Sequence, residues 1–185
     1  MKAAVAMWWD IAPEIRTEWE EWHSHEHMPE RLSIPGFLRG TRYVAVSGAP
    51  SYFVLYEAAD LSVITSGPYL ERLNNPTPWS QKMMPHHRNM VRALCLVREG
   101  WGGGVPAVMG TTRAEQRPAM PARRPGLTSA HLLEAQPMPG MTTEQKIRGR
   151  DATAAWVLLV GGYDQRAVTG ELYRPAYSLS AGEIA

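Results

Sequence analysis

The chain has 185 residues, of which 44% are hydrophobic and 20% charged, and its formal net charge is +1. This composition is that of an ordinary globular protein, long enough for one large domain or two small ones. A nearly neutral chain has no field of one sign to attract nucleic acid or an anionic membrane, so neither is expected as a partner.

The single cysteine and the amino-terminal segment predict a cytoplasmic protein. Cys95 has no second cysteine with which to form an internal disulfide, which fits a reducing compartment. It lies in the apolar run 91–97, where we expect it to be buried. The apolar run at the start is too short for a signal peptide, and no stretch approaches the roughly 20 apolar residues that cross a bilayer.

Hydrophobic patterning predicts the order β-α-β-β-α-β over the first hundred residues. Pro29 should end the first helix, because proline disfavours helical geometry in the residue before it. This order is that of the ferredoxin-like split βαβ unit. The predicted strands are 3–9, 37–46, 52–57 and 90–98, and the predicted helices are 13–28, 60–74 with a break at 67–68, and 77–84.

The second half repeats this layout less clearly, after a glycine-rich boundary at 101–104. Three prolines and a glycine exclude a helix within 114–126, which we interpret as a solvated loop. The fold class is therefore α+β, with a ferredoxin-like unit at 1–100 and a degenerate copy at 101–185 that together form an α+β barrel. Such a barrel could close within the chain or across a homodimer, and a homodimer is expected. Strands are predicted at 105–112, 128–136, 155–161 and 176–180, and a helix at 164–172.

Three of the six histidines lie within a stretch of five residues, 23–27, inside the first predicted helix. At 100° per residue, one face of a regular helix carries an imidazole and a carboxyl inside an apolar stripe. A buried titratable group costs free energy unless it is paired, so this segment is the candidate functional site. The stripe comprises Ile15, Trp19, Trp22, His23 and Glu26, with His27 on its border and His25 on the opposite side.

Within this segment, His27, Glu26 and His23 could form an acid–base unit. A carboxylate bonded to one imidazole nitrogen would leave the other nitrogen free to move a proton near neutral pH. Trp19 and Trp22 would exclude water and belong to the predicted substrate pocket. In the structural alternative, Glu26 pairs locally with Arg31 and the histidines are satisfied polar groups.

A metal site is the second alternative, because His23 and His27 have the i,i+4 spacing of paired ligands, with Glu26 as a third group. His86 and His87 could supply a further ligand, although adjacent histidines in a loop are expected to face solvent. No third ligand is evident, and we predict neither a metal nor a cofactor.

Four further residues are predicted to bind substrate. Arg42 and Tyr43 leave the second strand toward opposite faces, so one of them should face the cleft and hold a carboxylate or an enolate. For Arg42 the alternative is a surface ion pair with Glu57 on the next strand. Tyr69 and Trp79 lie near the second helix, where a lid could form.

The run Glu26-His27-Met-Pro-Glu30-Arg-Leu-Ser-Ile-Pro-Gly-Phe37, with Arg42-Tyr43 and Tyr56-Glu57 after it, resembles the EthD-like branch of the dimeric α+β barrel proteins. The resemblance covers residues 3–100. It implies a ferredoxin-like barrel in which His27 lines the cleft between the first helix and the sheet. It does not supply a reaction, since that superfamily includes cofactor-free monooxygenases, lactone isomerases, polyketide-processing proteins, haem enzymes and members with no known activity.

The sequence therefore predicts a small cofactor-free enzyme that moves a proton on a hydrophobic aromatic or polyketide-like molecule. No dinucleotide fingerprint, phosphate loop, serine-hydrolase elbow or C-x-x-C pair occurs in the chain. The alternatives are a non-catalytic ligand-binding barrel and a metal or haem enzyme that uses His23 and His27.

Overall fold

A computed structural model describes residues 1–137, 140–149 and 151–184, and eight strands account for much of that part of the chain. Glycine, proline or polar residues stand near most strand ends, as is typical of antiparallel sheets. The strands are β1 Ala3–Asp10, β2 Phe37–Ala45, β3 Tyr52–Ala58, β4 Arg88–Gly102, β5 Val108–Ala114, β6 Leu127–Gln136, β7 Trp156–Gly162 and β8 Glu171–Ser180.

Helices connect the strands mainly in the first half. The residues from 13 to 32, here called the first helical run, comprise a 3₁₀ turn Pro13–Ile15, α1 Arg16–Trp22, a π-helical turn His23–His27 and α2 Met28–Leu32. The remaining α-helices are α3 Gly67–Asn74, α4 Pro78–Met83 and α5 Thr143–Arg148. Ser66 and Thr77 cap α3 and α4, because their side-chain oxygens accept hydrogen bonds from backbone N–H groups in the first turn. None of the helices in the described ranges is long and apolar enough to span a bilayer.

The eight strands form one closed antiparallel barrel within a single chain. The strand order around the barrel is β1-β3-β2-β8-β5-β7-β6-β4. The two halves join where β2 pairs with β8 and where β4 pairs with β6. Strand β4 is 15 residues long, and its residues 88–96 pair with β1 whereas its residues 94–102 pair with β6. The protein is thus a mixed α+β fold built on a closed barrel, as the fold class predicted.

Successive side chains along each strand point to opposite faces of the sheet, so the protein has two separate apolar cores, one on each face. On β1, Val5, Met7 and Trp9 face outward and pack under the helices. Ala6 and Trp8 face the barrel interior, which is filled with side chains and holds the buried Cys95. The sheet surface beneath the first helical run is therefore apolar, and any cavity there lies outside the barrel.

Two predicted elements are wrong. The first helical run continues past Pro29 to Leu32, because a wider, π-helical turn precedes the proline. The predicted helix at 164–172 is a single 3₁₀ turn, Gln165–Ala167, followed by Gly170 at a φ of 100° and then by β8. The turn ends at Ala167, and Gly170 supplies a positive φ directly before the strand begins.

The segment 114–126 contains no helix, as predicted, but it is not simply a solvated loop. The Trp101 indole N–H donates to the carbonyl of Pro121, and Met120 packs against a small apolar cluster on the outer face of the second half. This segment covers strands that no helix covers in the described part of the chain.

Candidate functional site

The first helical run changes its winding at the histidines. Over the π-helical turn His23–His27 the bonding pattern widens, and the N–H of Met28 donates to the carbonyl of His23, five residues earlier. Pro29 follows directly. In a regular helix its ring would clash with the carbonyl four residues before it, so the widened turn lets the run continue through the proline. Single π-helical turns of this kind are frequent at functional sites.

The wider turn changes which residues share a face of the helix, because each residue is rotated from the previous one by less than the regular 100°. His23 and His27 are both buried and face the sheet. Glu26 instead turns toward α4, where its carboxylate accepts hydrogen bonds from the hydroxyls of Thr77 (2.5 Å) and Ser80 (3.4 Å). His25 lies on the surface beside Glu21, at 3.4 Å.

An enclosed cavity lies between the first helical run, α3, α5 and the outer face of the sheet. The space open to the centre of a water molecule is about 20 Å³, which is room for about one water. Apolar walls are formed by Met7, Trp9, Phe37, Leu73, Met84 and Met90, and the polar lining by His23, His27, Arg31, Tyr56, Tyr69, His87, Arg92, Glu144 and Arg148.

His27 presents an unsatisfied polar atom at this cavity. Its Nδ1 atom is buried and has no hydrogen-bond partner among the described residues, and the same is true of the Trp9 indole nitrogen. The imidazole stacks at 4.5 Å on Trp22. Burial, and then the nearby Arg31 charge, hold the pKa of His27 well below its usual 6.5. His27 is therefore a neutral imidazole at physiological pH.

His23 sits in a chain of polar contacts that leads away from the cavity. Its Nδ1 lies 3.5 Å from the Arg42 guanidinium, which can only donate, and its Nε2 lies 3.4 Å from the Tyr56 hydroxyl. Burial, followed by the Arg42 charge, lowers the pKa of His23 well below its ordinary value. The neutral ring then carries its proton on Nε2 and donates it to Tyr56, so the phenolic hydrogen of Tyr56 is free to point elsewhere.

His87 is buried, which contradicts the expectation that it faces solvent. Its Nε2 accepts a hydrogen bond from the Trp19 indole at 3.2 Å, and its Nδ1 donates to the carbonyl of Met84 at 3.1 Å. Burial, followed by the Arg148 charge, lowers the pKa of His87 to about 3. His87 ties the first helical run to the segment before β4 and has no nitrogen left for chemistry.

The charges of the cavity were not predicted from the sequence. The Arg31 guanidinium is 3% exposed and forms a close ion pair with Glu144 of α5, which is equally buried. Burial lowers the pKa of Arg31, but the nearby Glu144 and other groups raise it further, so Arg31 carries its positive charge. Arg148 lies 3.8 Å from the other Glu144 oxygen and binds Asp151 at 2.7 Å. The only sequence signal for Arg31 was its position four residues after His27.

Tyr69 lines the cavity, on α3. Its hydroxyl accepts a hydrogen bond from the Arg92 guanidinium at 2.9 Å, and Arg92 also lines the cavity. Trp19 and Trp22 do not line the cavity but pack directly behind it. Trp19 stacks on His23 at 4.9 Å, and the Trp22 indole N–H donates to Ser80. Both indoles keep water from the outer sides of the imidazoles.

Arg42 and Tyr43 do leave β2 toward opposite faces. Arg42 turns to the helices, where it donates to the carbonyl of Glu20 and lies over the Trp19 ring. It lies behind His23 rather than in the cavity, and Arg39, not Arg42, pairs with Glu57. Tyr43 points into the barrel interior beside Phe53, so it cannot contact a molecule in this cavity. Tyr43 is therefore not part of the lining of this cavity.

Trp79 and Glu26 also lie outside the cavity lining. Trp79 packs at the edge of the outer core from α4. No hydrogen bond joins Glu26 to His23 or His27 within the described ranges, because the π-helical turn directs the carboxylate to α4. The predicted triad thus reduces to two imidazoles, with Tyr56 and Arg31 as the additional polar groups.

The residues present do not suit a divalent cation. No group of three or more histidine, cysteine, aspartate or glutamate side chains is arranged to hold a metal in the part of the chain that the structure describes. Both nitrogens of His23 face other protein groups, and a cation at His27 would meet the Arg31 charge.

The chain is similar in fold to proteins of known structure, but it matches no family model and no curated protein in sequence. Fifteen chains among solved structures do match. One is described as a "Crystal structure study of anthrone oxidase-like protein"; it superposes with a TM-score of 0.61 at 11% identity and covers 99% of this chain and 94% of its own. The chain is similar to that protein in fold, an α+β architecture with a closed eight-stranded antiparallel barrel.

Proposed function

We propose that the protein is a small enzyme without an organic cofactor that removes a proton from a carbon acid, a C–H group conjugated through the ring system with the carbonyl of a hydrophobic aromatic or polyketide-like ketone. The observation that carries this proposal is the buried Nδ1 of His27, which has no hydrogen-bond partner in the described part of the chain and belongs to a neutral imidazole lining an enclosed cavity. Leaving a buried polar atom unpaired is costly, so such an atom is expected to serve a ligand.

In the proposed step, the lone pair of His27 Nδ1 takes the proton from carbon, and the C–H electrons move to the carbonyl oxygen to form an enolate. Tyr56 donates its phenolic hydrogen to that oxygen, since His23 donates to the other side of the same hydroxyl. Arg31 supplies positive charge to the enolate. Burial disfavours the charged imidazolium that forms, and the negative charge of the enolate beside it compensates for this cost.

Two fates of the enolate are consistent with this site. Return of the proton to another carbon gives an isomerisation. Reaction with dioxygen gives an oxidation, in which anthrone and O₂ yield anthraquinone and water. The name of the structural neighbour, anthrone oxidase-like, favours the second and makes anthrone the first probe.

The test follows proton exchange on anthrone in D₂O under nitrogen, by loss of the methylene proton signal. The wild-type protein should accelerate exchange over buffer, and His27→Gln should reduce that acceleration about 10²–10⁴-fold. His25→Gln is the matched control, because it alters an exposed histidine two residues away. Equal acceleration by wild type and His27→Gln would refute the proposal. Anthrone binding without exchange in either protein would instead support a non-catalytic binding barrel.

We further propose that the two halves are tandem ferredoxin-like units, at 1–100 and 101–185, and that the first is EthD-like. Strands β4-β1-β3-β2 and strands β8-β5-β7-β6 follow the same spatial order, which supports the duplication. The argument for a homodimer was an open sheet in need of cover. That argument does not apply to a barrel that closes within one chain, and the homodimer stays a prediction.

A further inference from the structure

Trp9 carries an indole N–H group that the proposed function does not use. Its side chain is 2% exposed and lines the cavity, and its nitrogen has no acceptor among the described residues. The three other buried indoles in the described part of the chain each donate to a side chain of the protein. Their acceptors are Thr111 for Trp8, His87 for Trp19 and Ser80 for Trp22.

The two imidazoles beside the Trp9 ring have no acceptor to spare. His87 lies 5.2 Å away, ring to ring, and both of its nitrogens are engaged. His23 lies 6.3 Å away, and its nitrogens face Arg42 and Tyr56. A buried N–H group without an acceptor is costly, and an indole can only donate. A ligand in the cavity should therefore offer Trp9 an atom that accepts a hydrogen bond.

The proposed reaction creates such an atom only in its oxidative branch. Tyr56 and Arg31 already serve the carbonyl oxygen of the ketone. Dioxygen adds to the carbon from which His27 removes the proton, and in anthrone that carbon and the carbonyl lie on opposite sides of the central ring. The new oxygen therefore needs a donor of its own. Isomerisation adds no oxygen and leaves the Trp9 donor unused.

The oxidation balances with dioxygen as the only added reactant. The enolate transfers its electrons to dioxygen and a carbon–oxygen bond forms, which leaves a peroxide anion on the carbon. The His27 imidazolium gives its proton to the outer peroxide oxygen. The same carbon then loses its second proton while the O–O bond breaks and hydroxide leaves. The products are a second carbonyl group and water.

A ring system enters the cavity only when wall side chains move. The space open to the centre of a water molecule is about 20 Å³, which is room for about one water. Three of the apolar wall residues are methionines, Met7, Met84 and Met90, whose unbranched side chains adapt readily to a ligand. Movement of these side chains leaves the donors in place, because Trp9 and Tyr56 stand on strands β1 and β3 of the barrel.

We propose that the Trp9 indole N–H donates a hydrogen bond to the oxygen that dioxygen adds, so that the cavity binds a para-quinone through Tyr56 at one carbonyl oxygen and Trp9 at the other. This inference rests on the proposed function for the ketone and for His27 as the base. It adds a second ligand-binding donor and selects oxidation over isomerisation.

The test compares the binding of anthrone and anthraquinone under nitrogen, by quenching of tryptophan fluorescence with dimethyl sulfoxide as cosolvent. The wild type should bind anthraquinone about tenfold more tightly, since one further buried hydrogen bond is formed. Trp9→Phe should bind the two ligands equally, whereas Tyr56→Phe should weaken both. Trp101→Phe is the matched control, because it removes an indole N–H that donates to Pro121 outside the site, and it should keep the wild-type ratio.

Nuclear magnetic resonance of the wild type gives a second measurement that does not depend on how Trp9→Phe folds. With ¹⁵N-labelled tryptophan, the seven indoles give one N–H signal each. Saturating anthraquinone should move the Trp9 proton signal downfield and slow its exchange with solvent, and anthrone should not.

An unmoved Trp9 signal at saturation would overturn the proposal. So would equal binding of both ligands by the wild type, a preference for anthraquinone that persists in Trp9→Phe, or no binding of either ligand. Both measurements follow binding without turnover. A protein that binds anthraquinone through Trp9 but does not accelerate anthrone exchange would therefore contradict the proposed proton transfer by His27 and not the donor role of Trp9.

Discussion

Mild acid should destabilise the protein strongly, because three buried histidines remain neutral in the fold. Burial lowers the pKa of His23 and His27 well below 6.5 and that of His87 to about 3. The unfolded chain binds a proton at each of these residues near pH 6.5, whereas the folded chain does not. Their contribution to stability is therefore complete above pH 6.5 and is lost progressively as the pH falls below it.

The magnitude follows from proton linkage. Between pH 7.5 and 5.5, each histidine that is protonated only in the unfolded state costs about 1.4 kcal/mol, so the three together cost about 4 kcal/mol. Burial also lowers the pKa of His131, so this histidine adds to the loss in the same window. The lowered pKa values of Asp10 and Asp151 act only near pH 4, and the raised pKa of Glu30 opposes the loss slightly at the acid end. A loss of this size is a large fraction of the 5–15 kcal/mol that typically stabilises a domain.

The assay is urea unfolding followed by tryptophan fluorescence, at pH 7.5 and at 5.5. His87→Gln retains an acceptor for the Trp19 indole and should reduce the pH-dependent loss by about 1.4 kcal/mol, one histidine's share. His25→Gln removes a histidine that solvent reaches in both states and should leave the loss unchanged. A wild-type loss below about 1 kcal/mol would mean that the folded protein protonates its buried imidazoles, and the reasoning would fail.

Three further predictions concern single sites. Gly40→Ala should cost about 1–3 kcal/mol in urea unfolding, because its Cβ would lie 2.9 Å from the Tyr56 ring and 3.0 Å from Met28; an unchanged midpoint would show that both side chains yield freely. Tyr56→Phe should slow anthrone exchange about tenfold or more while leaving the fold intact by circular dichroism, and an unchanged rate would remove Tyr56 from the mechanism. Cys95 should resist a thiol reagent at pH 8 until the protein unfolds, since burial raises its pKa to about 12; rapid labelling of the native protein would contradict its position in the barrel.

The strands of the first half could be predicted because their patterning reflects burial directly. β1, β2 and β3 lie within a residue or two of the predicted ranges, since alternating or continuous apolar runs leave few other solutions. β4 was predicted too short, because its last residues are mostly exposed and include two glycines, and pairing with β6 holds them in the strand. Long-range partners of this kind leave no local signal in the sequence.

The position of the site was predictable, whereas its composition was not. An imidazole cluster among tryptophans indicated the first helical run, and His23 and His27 do line its cavity. The Glu26 carboxylate lies toward α4 rather than beside the imidazoles, because the regular 100° per residue used for the prediction does not apply to the wider π-helical turn. Arg31 was missed because a charged residue after a proline suggests a surface, and its burial depends on Glu144, more than a hundred residues away.

The π-helical turn makes the candidate site sensitive to insertions and deletions during evolution. A widened turn contains one residue more than a regular turn spanning the same rise, so its geometry is a matter of chain length rather than of side-chain identity. Removing one residue between positions 23 and 27 would restore regular winding and rotate the preceding residues by about 100° relative to Arg31. Insertions and deletions, which loops usually absorb, would here reset the site while leaving all eight strands untouched.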